Sequence, residues 1–123
     1  MRDSLFAIGD IAIWGDGRAS YAFQNQANAI KQARSLAQAL TGRKRESIYP
    51  SYFWSEVFGK KIQAVGQTTA SSTEMLYENH NRWVMLHEEK DEVVGISAFG
   101  MPREFARTRN QYSTEIKLES EKI

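Results

Sequence analysis

Residues 4–14 are dense in β-forming side chains, with Leu5, Phe6, Ile8, Ile11, Ile13 and Trp14 close together. The Gly15-Asp16-Gly17 that follows suits the positive φ of a tight turn. Residues 18–23 then alternate Ala19, Tyr21 and Phe23 with Arg18, Ser20 and Ala22, so the segment reads as a β-hairpin. After residue 24 the rhythm changes. Ala27, Ile30, Ala33, Ala37 and Leu40 recur three and four apart, with Ala29 and Leu36 widening the stripe, which is the period of an amphipathic helix. Asn25 stands where a cap is needed and Gly42 where helices end, so a helix is expected over 25–40. Its alanine-rich face would let a sheet approach closely.

Beyond a polar connection, Pro50 is expected to open a short helix over 51–58, crowded with Tyr52, Phe53, Trp54 and Phe58 and closed by Gly59. Residues 61–65 read as a short strand, and 66–73 (GQTTASST) as a small, polar, mobile loop. Strands are expected over 82–87 and 92–99, joined by the charged turn 88–91. Both carry apolar residues on both faces, as strands covered on two sides do. Residues 101–109 read as a connection with one helical turn at most. Residues 111–118 alternate Tyr112, Thr114, Ile116 and Leu118 with polar neighbours, as a half-exposed strand would. The last five residues are expected to fray.

The fold class expected is therefore α+β: an antiparallel sheet of five to six strands with one long helix packed on one face. The length, 123 residues, suits a single domain over 1–123. Two-sided apolar strands point to a second cover besides the helix, hence to a homo-oligomer. No segment has the length and hydrophobicity of a membrane span and the first ten residues carry no leader pattern, so a soluble cytoplasmic protein is expected.

Composition narrows the chemistry. With no cysteine, disulfides, thiol catalysis and Cys-ligated metal are excluded. Only His80 and His87 are available as imidazoles, and neither has partners at metal-ligand or triad spacing. Glu88-x-Lys90 sits in a turn rather than on a strand where a metal-dependent nuclease would need it. No metal, no cofactor and no catalytic constellation are expected. The formal net charge of +1 argues against a general nucleic-acid coat protein. The charge is uneven, however: residues 1–62 hold nine Lys and Arg against five Asp and Glu, and 63–123 hold seven against ten.

What remains is a group of arginines and aromatics. Arg103, Arg107 and Arg109, with Phe99, Phe105 and Asn110, lie within twelve residues, and Trp83 stands on the neighbouring hairpin. Guanidinium groups grip phosphate bidentately and aromatic faces stack bases. The segment is therefore the candidate site for a phosphorylated, nucleotide-like ligand. The function expected is that of a small non-enzymatic binding protein, of the kind phages and mobile elements use to block host defence by sequestering such a ligand. A second reading is a nucleic-acid- or protein-binding regulator using Arg34, Arg43, Lys44 and Arg45 at the basic helix end, with nucleic acid ranked below the small ligand. A third is a small nuclease or phosphoesterase.

Overall fold

The computed structural model describes residues 5–15, 20–21, 24–45 and 52–116. The chain divides into two compact units, residues 1–48 and 49–123. The molecule is α+β, with two helices and a five-stranded antiparallel sheet.

In the first unit a 3-10 turn, Gly9–Ile11, interrupts the segment expected to be one strand. Only β1 (Trp14–Gly15) and β2 (Ser20–Tyr21) pair, and the centre of the expected turn lies outside the described residues. The helix α1 (Gln26–Leu40) forms as its period and cap dictate, with the Asn25 side chain accepting the Asn28 backbone N–H at 2.9 Å. Its buried stripe is not the alanine face. Asn28, Gln32 and Ser35 are buried, while Ile30 and Leu40 are 47% and 64% exposed. The reason is a polar contact: the Gln32 amide oxygen accepts the backbone N–H of Gly9, which ties the helix to the 3-10 turn.

The second unit is built of hairpins. Its strands are β3 (Phe53–Val57), β4 (Lys60–Gly66), β5 (Ser72–Asn79), β6 (Arg82–Glu89) and β7 (Glu92–Phe99), in the spatial order β3-β4-β7-β6-β5. Three of the connections are two-residue turns with positive φ at both positions: Phe58–Gly59, His80–Asn81 and Lys90–Asp91. This turn geometry matches the right-handed twist of the strands it joins. The helix α2 (Pro102–Gln111) begins with proline in its first turn and lies against β7 and β4. Between α2 and the sheet sits the core: Val65, Val84, Leu86, Ile96, Ala98 and Phe105, with Ile116 closing one end.

Four expectations are corrected here. The short helix over 51–58 is strand β3, because Phe53, Trp54 and Val57 favour a pleated surface and the Phe58–Gly59 turn folds them back onto β4; residues 50 and 51 lie outside the described residues. The polar segment ending at 73 contains the start of β5, whose alternation is broken by a bulge between Met75 and Tyr77 and so escapes a period-two reading. Residues 101–109 are not a connection but most of α2. Residues 111–116 continue in helical turns, with the Ile116 N–H donating to the Tyr112 carbonyl at 3.0 Å. Phe105, Thr108, Tyr112 and Ile116 share the helix face toward the core, and a segment this short fits both periods until packing chooses. The helix on the sheet of this unit is thus the ten-residue α2, while the long α1 belongs to the other unit.

Candidate functional site

Directly opposite residues in neighbouring strands point to the same face of a sheet. The register places Ser55, Ile62, Phe99, Trp83 and Glu78 in one row across β3, β4, β7, β6 and β5. This row belongs to the face turned away from α2. Trp83 and Phe99 are therefore side by side and half-buried. The Lys60 ammonium lies 5.5 Å from the centre of the Phe99 ring, a cation–π contact. Beside it, Gly100 holds its backbone against the stems of Arg82 and Lys60: a Cβ there would fall 2.9 Å from Arg82 Cγ and 3.5 Å from Lys60 Cδ. The Gly100 N–H donates to the Lys61 carbonyl at 2.8 Å, so α2 leaves from this same end with Arg103 in its first turn. Aromatic and cationic side chains thus gather at one end of the sheet.

The sequence candidates are only partly brought together. Phe105 is a core residue, 2% exposed, packed on the other side of the sheet from Trp83 and Phe99. Arg103, Arg107, Arg109 and Asn110 are exposed on α2, also on that other side. Arg109 stacks over Tyr52, 5.8 Å from its ring centre, and Tyr52 accepts a hydrogen bond from the Gln63 side-chain amide at 2.9 Å. The sheet itself separates the arginines from the aromatics that were to share a pocket with them. Arg34, Arg43 and Lys44 are exposed in the first unit. Arg45 lines an otherwise apolar cavity of about 250 Å³ there, with Phe6, Ile8, Ile11, Ile13 and Leu36. The sequence reading takes Phe58 as part of a short aromatic helix and passes over Lys60, Lys61 and Arg82 as site residues. Their signal was the Phe-Gly pair followed by two lysines between two strands, which was hidden once 51–58 was read as helix.

The histidines have structural places. His80 lies in the β5–β6 turn, its ring bonded to the Asn79 side chain. His87 is buried on the face away from α2, its Nε2 2.7 Å from the Ser97 hydroxyl, while Nδ1 has no partner among the described residues. Burial pushes the imidazole below its ordinary value of 6.5. Above pH 6.5 the ring is neutral folded or unfolded. As the pH falls through 6.5 toward the lowered folded value, the unfolded chain takes up a proton that the folded one refuses, and stability declines. Thermal melts between about pH 5 and 8 are expected to show this decline, and His87→Gln is expected to remove that part of it. Parallel profiles for the two proteins would refute the assignment.

No helix among the described residues is long and apolar enough to cross a membrane. The fold of the chain is shared with reductases. It superposes on putidaredoxin reductase, solved in covalent complex with putidaredoxin, with a TM-score of 0.75 at 19% identity, over 88% of this chain and 27% of that one. It superposes on a ferredoxin reductase from Rhodopseudomonas palustris with a TM-score of 0.62 at 26% identity, over 76% of this chain and 24% of that one. Residues 52–123, more than half of the chain, match the family described as Reductase C-terminal, and the chain belongs to that family. Among curated proteins it is 28% identical to rhodocoxin reductase of Rhodococcus erythropolis, over 97% of this chain and 29% of that protein. It is 23% identical to the ferredoxin–NAD(+) reductase subunit of the benzene 1,2-dioxygenase system of Pseudomonas putida, over 97% of this chain and 30% of that protein. The chain thus spans about a third of the length of the curated relatives it matches.

These relationships overturn the functional expectations. The expected non-enzymatic inhibitor of host defence that sequesters a nucleotide-like ligand is overturned, because the chain belongs to the Reductase C-terminal family and its curated relatives are reductases. The nucleic-acid-binding and nuclease readings fall with it. The expected homo-oligomer and nucleotide partner find no support in these relationships, whose curated members are reductases.

Proposed function

We propose that this chain is the C-terminal part of an oxidoreductase that moves electrons between a nicotinamide nucleotide and a ferredoxin. The observation that carries the proposal is the match of residues 52–123, nearly the whole second unit, to the Reductase C-terminal family. The alignment of 97% of the chain with two reductases extends the likeness into the first unit. The exposed apolar side chains of the first unit support the same reading. Leu5, Phe6, Ile11, Ile13 and Leu40 are all exposed. Phe6, Ile11 and Ile13 line one apolar cavity; exposed apolar side chains gathered in this way are normally covered by a partner, and in this reading the partner is the remainder of the reductase. The second unit contributes the aromatic and cationic end of its sheet, which suits an acidic protein partner better than a small anion.

The test is a segment exchange. In the benzene 1,2-dioxygenase reductase subunit, the aligned 30% is replaced by this chain. The exchanged protein is expected to reduce the ferredoxin of that system at the expense of NADH. A folded exchange protein with no ferredoxin reduction would refute the proposal.

A further inference from the structure

The β3–β4 hairpin has an unusual tip. Phe58 is 96% exposed, with φ of 51°. A left-handed backbone suits Gly, Asn or Asp; for a bulky aromatic it is a genuine outlier. The other two turns each place Asn or Asp at one of their two positions, as Asn81 and Asp91. Phe58 thus combines local strain with a full loss of burial. Strained residues of this kind persist where function holds them. Behind the tip, Phe53, Trp54 and Val57 are also exposed, and β3 is an edge of the sheet. A bare apolar edge invites aggregation unless something covers it.

Four cations stand around this patch. The Lys61 ammonium lies 5.5 Å from the Trp54 ring, and Lys60, Arg82 and Arg103 surround Gly100 and the start of α2. None of these four cations forms an ion pair among the described residues. Acidic groups collect at the opposite end of the strands, where Glu88, Glu89, Asp91 and Glu92 flank the β6–β7 turn with Lys90 alone against them. Three carboxylates share the tip end, Glu56 opposite Lys61, Glu78 opposite Trp83 and Glu104 in the first turn of α2, so the four cations exceed them by one there while the other end is acidic. An apolar centre with a charged rim is the anatomy of a protein interface, and one sign of charge selects a partner of the other.

We propose that the tip of the β3–β4 hairpin docks the acidic face of a ferredoxin, with Phe58 as the apolar anchor and Lys60, Lys61, Arg82 and Arg103 as the steering rim. The inference rests on the reductase reading above and names the surface by which the partner is held. Phe58 fills a depression on the ferredoxin, and the cations orient it before contact.

Phe58→Asn is the informative variant, because asparagine suits the left-handed turn and removes the anchor without threatening the fold. In the exchange reductase it is expected to raise the KM for ferredoxin about tenfold or more, the scale of a buried aromatic anchor. The kcat, and the reduction of ferricyanide, a small acceptor that needs no docking, are expected to stay unchanged. The melting temperature is expected to hold or rise. Lys60→Glu combined with Arg103→Glu is expected to raise the same KM and flatten its salt dependence. If the parent exchange protein reduces ferredoxin and both variants leave KM unchanged, the docking surface lies elsewhere and the inference falls while the reductase reading stands. If Phe58→Asn changes only sedimentation, the hairpin meets a second copy and the inference also falls. If the folded parent protein reduces ferricyanide but no ferredoxin, the reductase reading itself falls.

Discussion

Phe105→Ala is expected to destabilise the second unit by about 3–5 kcal/mol, the usual cost of emptying a buried aromatic site. The helix α2 has little else to hold it. Its sequence, PREFARTRNQ, offers one large apolar side chain. That ring enters the core beside Val84, Leu86, Ile96 and Ala98 and meets Tyr52 with ring centres 5.8 Å apart. Thr108, the other buried residue of the helix, bonds back to the Glu104 carbonyl at 2.8 Å and adds little cross-layer contact. Removing the ring therefore leaves a cavity against the sheet and frees the helix at once. Urea unfolding is expected to show a much lower midpoint, with Arg107→Ala, which is exposed on the same helix, close to the parent. A Phe105→Ala loss below about 1 kcal/mol would mean that α2 is not anchored by this ring.

Gly66→Ala is expected to be comparably severe. At this residue β4 ends and the chain turns toward β5 with φ of 77°. A Cβ here would collide with the Val94 carbonyl oxygen and lie 2.7 Å from Ile116 Cγ2 and 2.9 Å from Gly95 Cα. The first and last of these are backbone atoms within the paired β4 and β7, which cannot step aside without breaking the ladder. The left-handed conformation costs about 1–2 kcal/mol and the overpacking about 1–3 more, so a loss of about 2–5 kcal/mol is expected. Gly59→Ala separates the two contributions. Its φ is 69°, but nothing lies within 4 Å of the added carbon. It is expected to lose only the conformational part. Equal losses at the two positions, read by thermal melting, would show that the steric contact is relieved by relaxation.

Some of this architecture is legible in the sequence and some is not, for definite reasons. The helix over 25–40 announces itself because cap, period and stop agree, and it forms within a residue of the expected bounds. The β6–β7 hairpin is equally plain: its charged turn separates two apolar runs, and the structure narrows that turn to Lys90–Asp91. The buried side of α1 is not legible. A period shows that a helix has two faces, but the Gln32 bond to Gly9 decides which one is inside. The strands β3 and β5 are hidden by a crowded aromatic run and a bulge. The helix α2 is hidden by its polarity, since one phenylalanine carries its attachment. At the candidate site, Trp83 and Phe99 stand out as aromatics near cations. What the chain order conceals is that α2 carries Arg107 and Arg109 to the opposite face, while the register and the first residue of β4 bring Lys60 to theirs, over the Phe99 ring. The kinship with reductases lies in no short motif of this chain, and the chain spans only 29% and 30% of its curated relatives.

The most direct measurement is the rate of NADH-dependent ferredoxin reduction by the exchange reductase across a range of salt, beside the same reductase lacking the exchanged segment. The expected result is a rate restored by this chain and falling steeply as salt screens the basic rim. A rate no higher than that of the shortened reductase would contradict the reductase assignment, and a restored rate indifferent to salt would contradict the electrostatic capture of its partner.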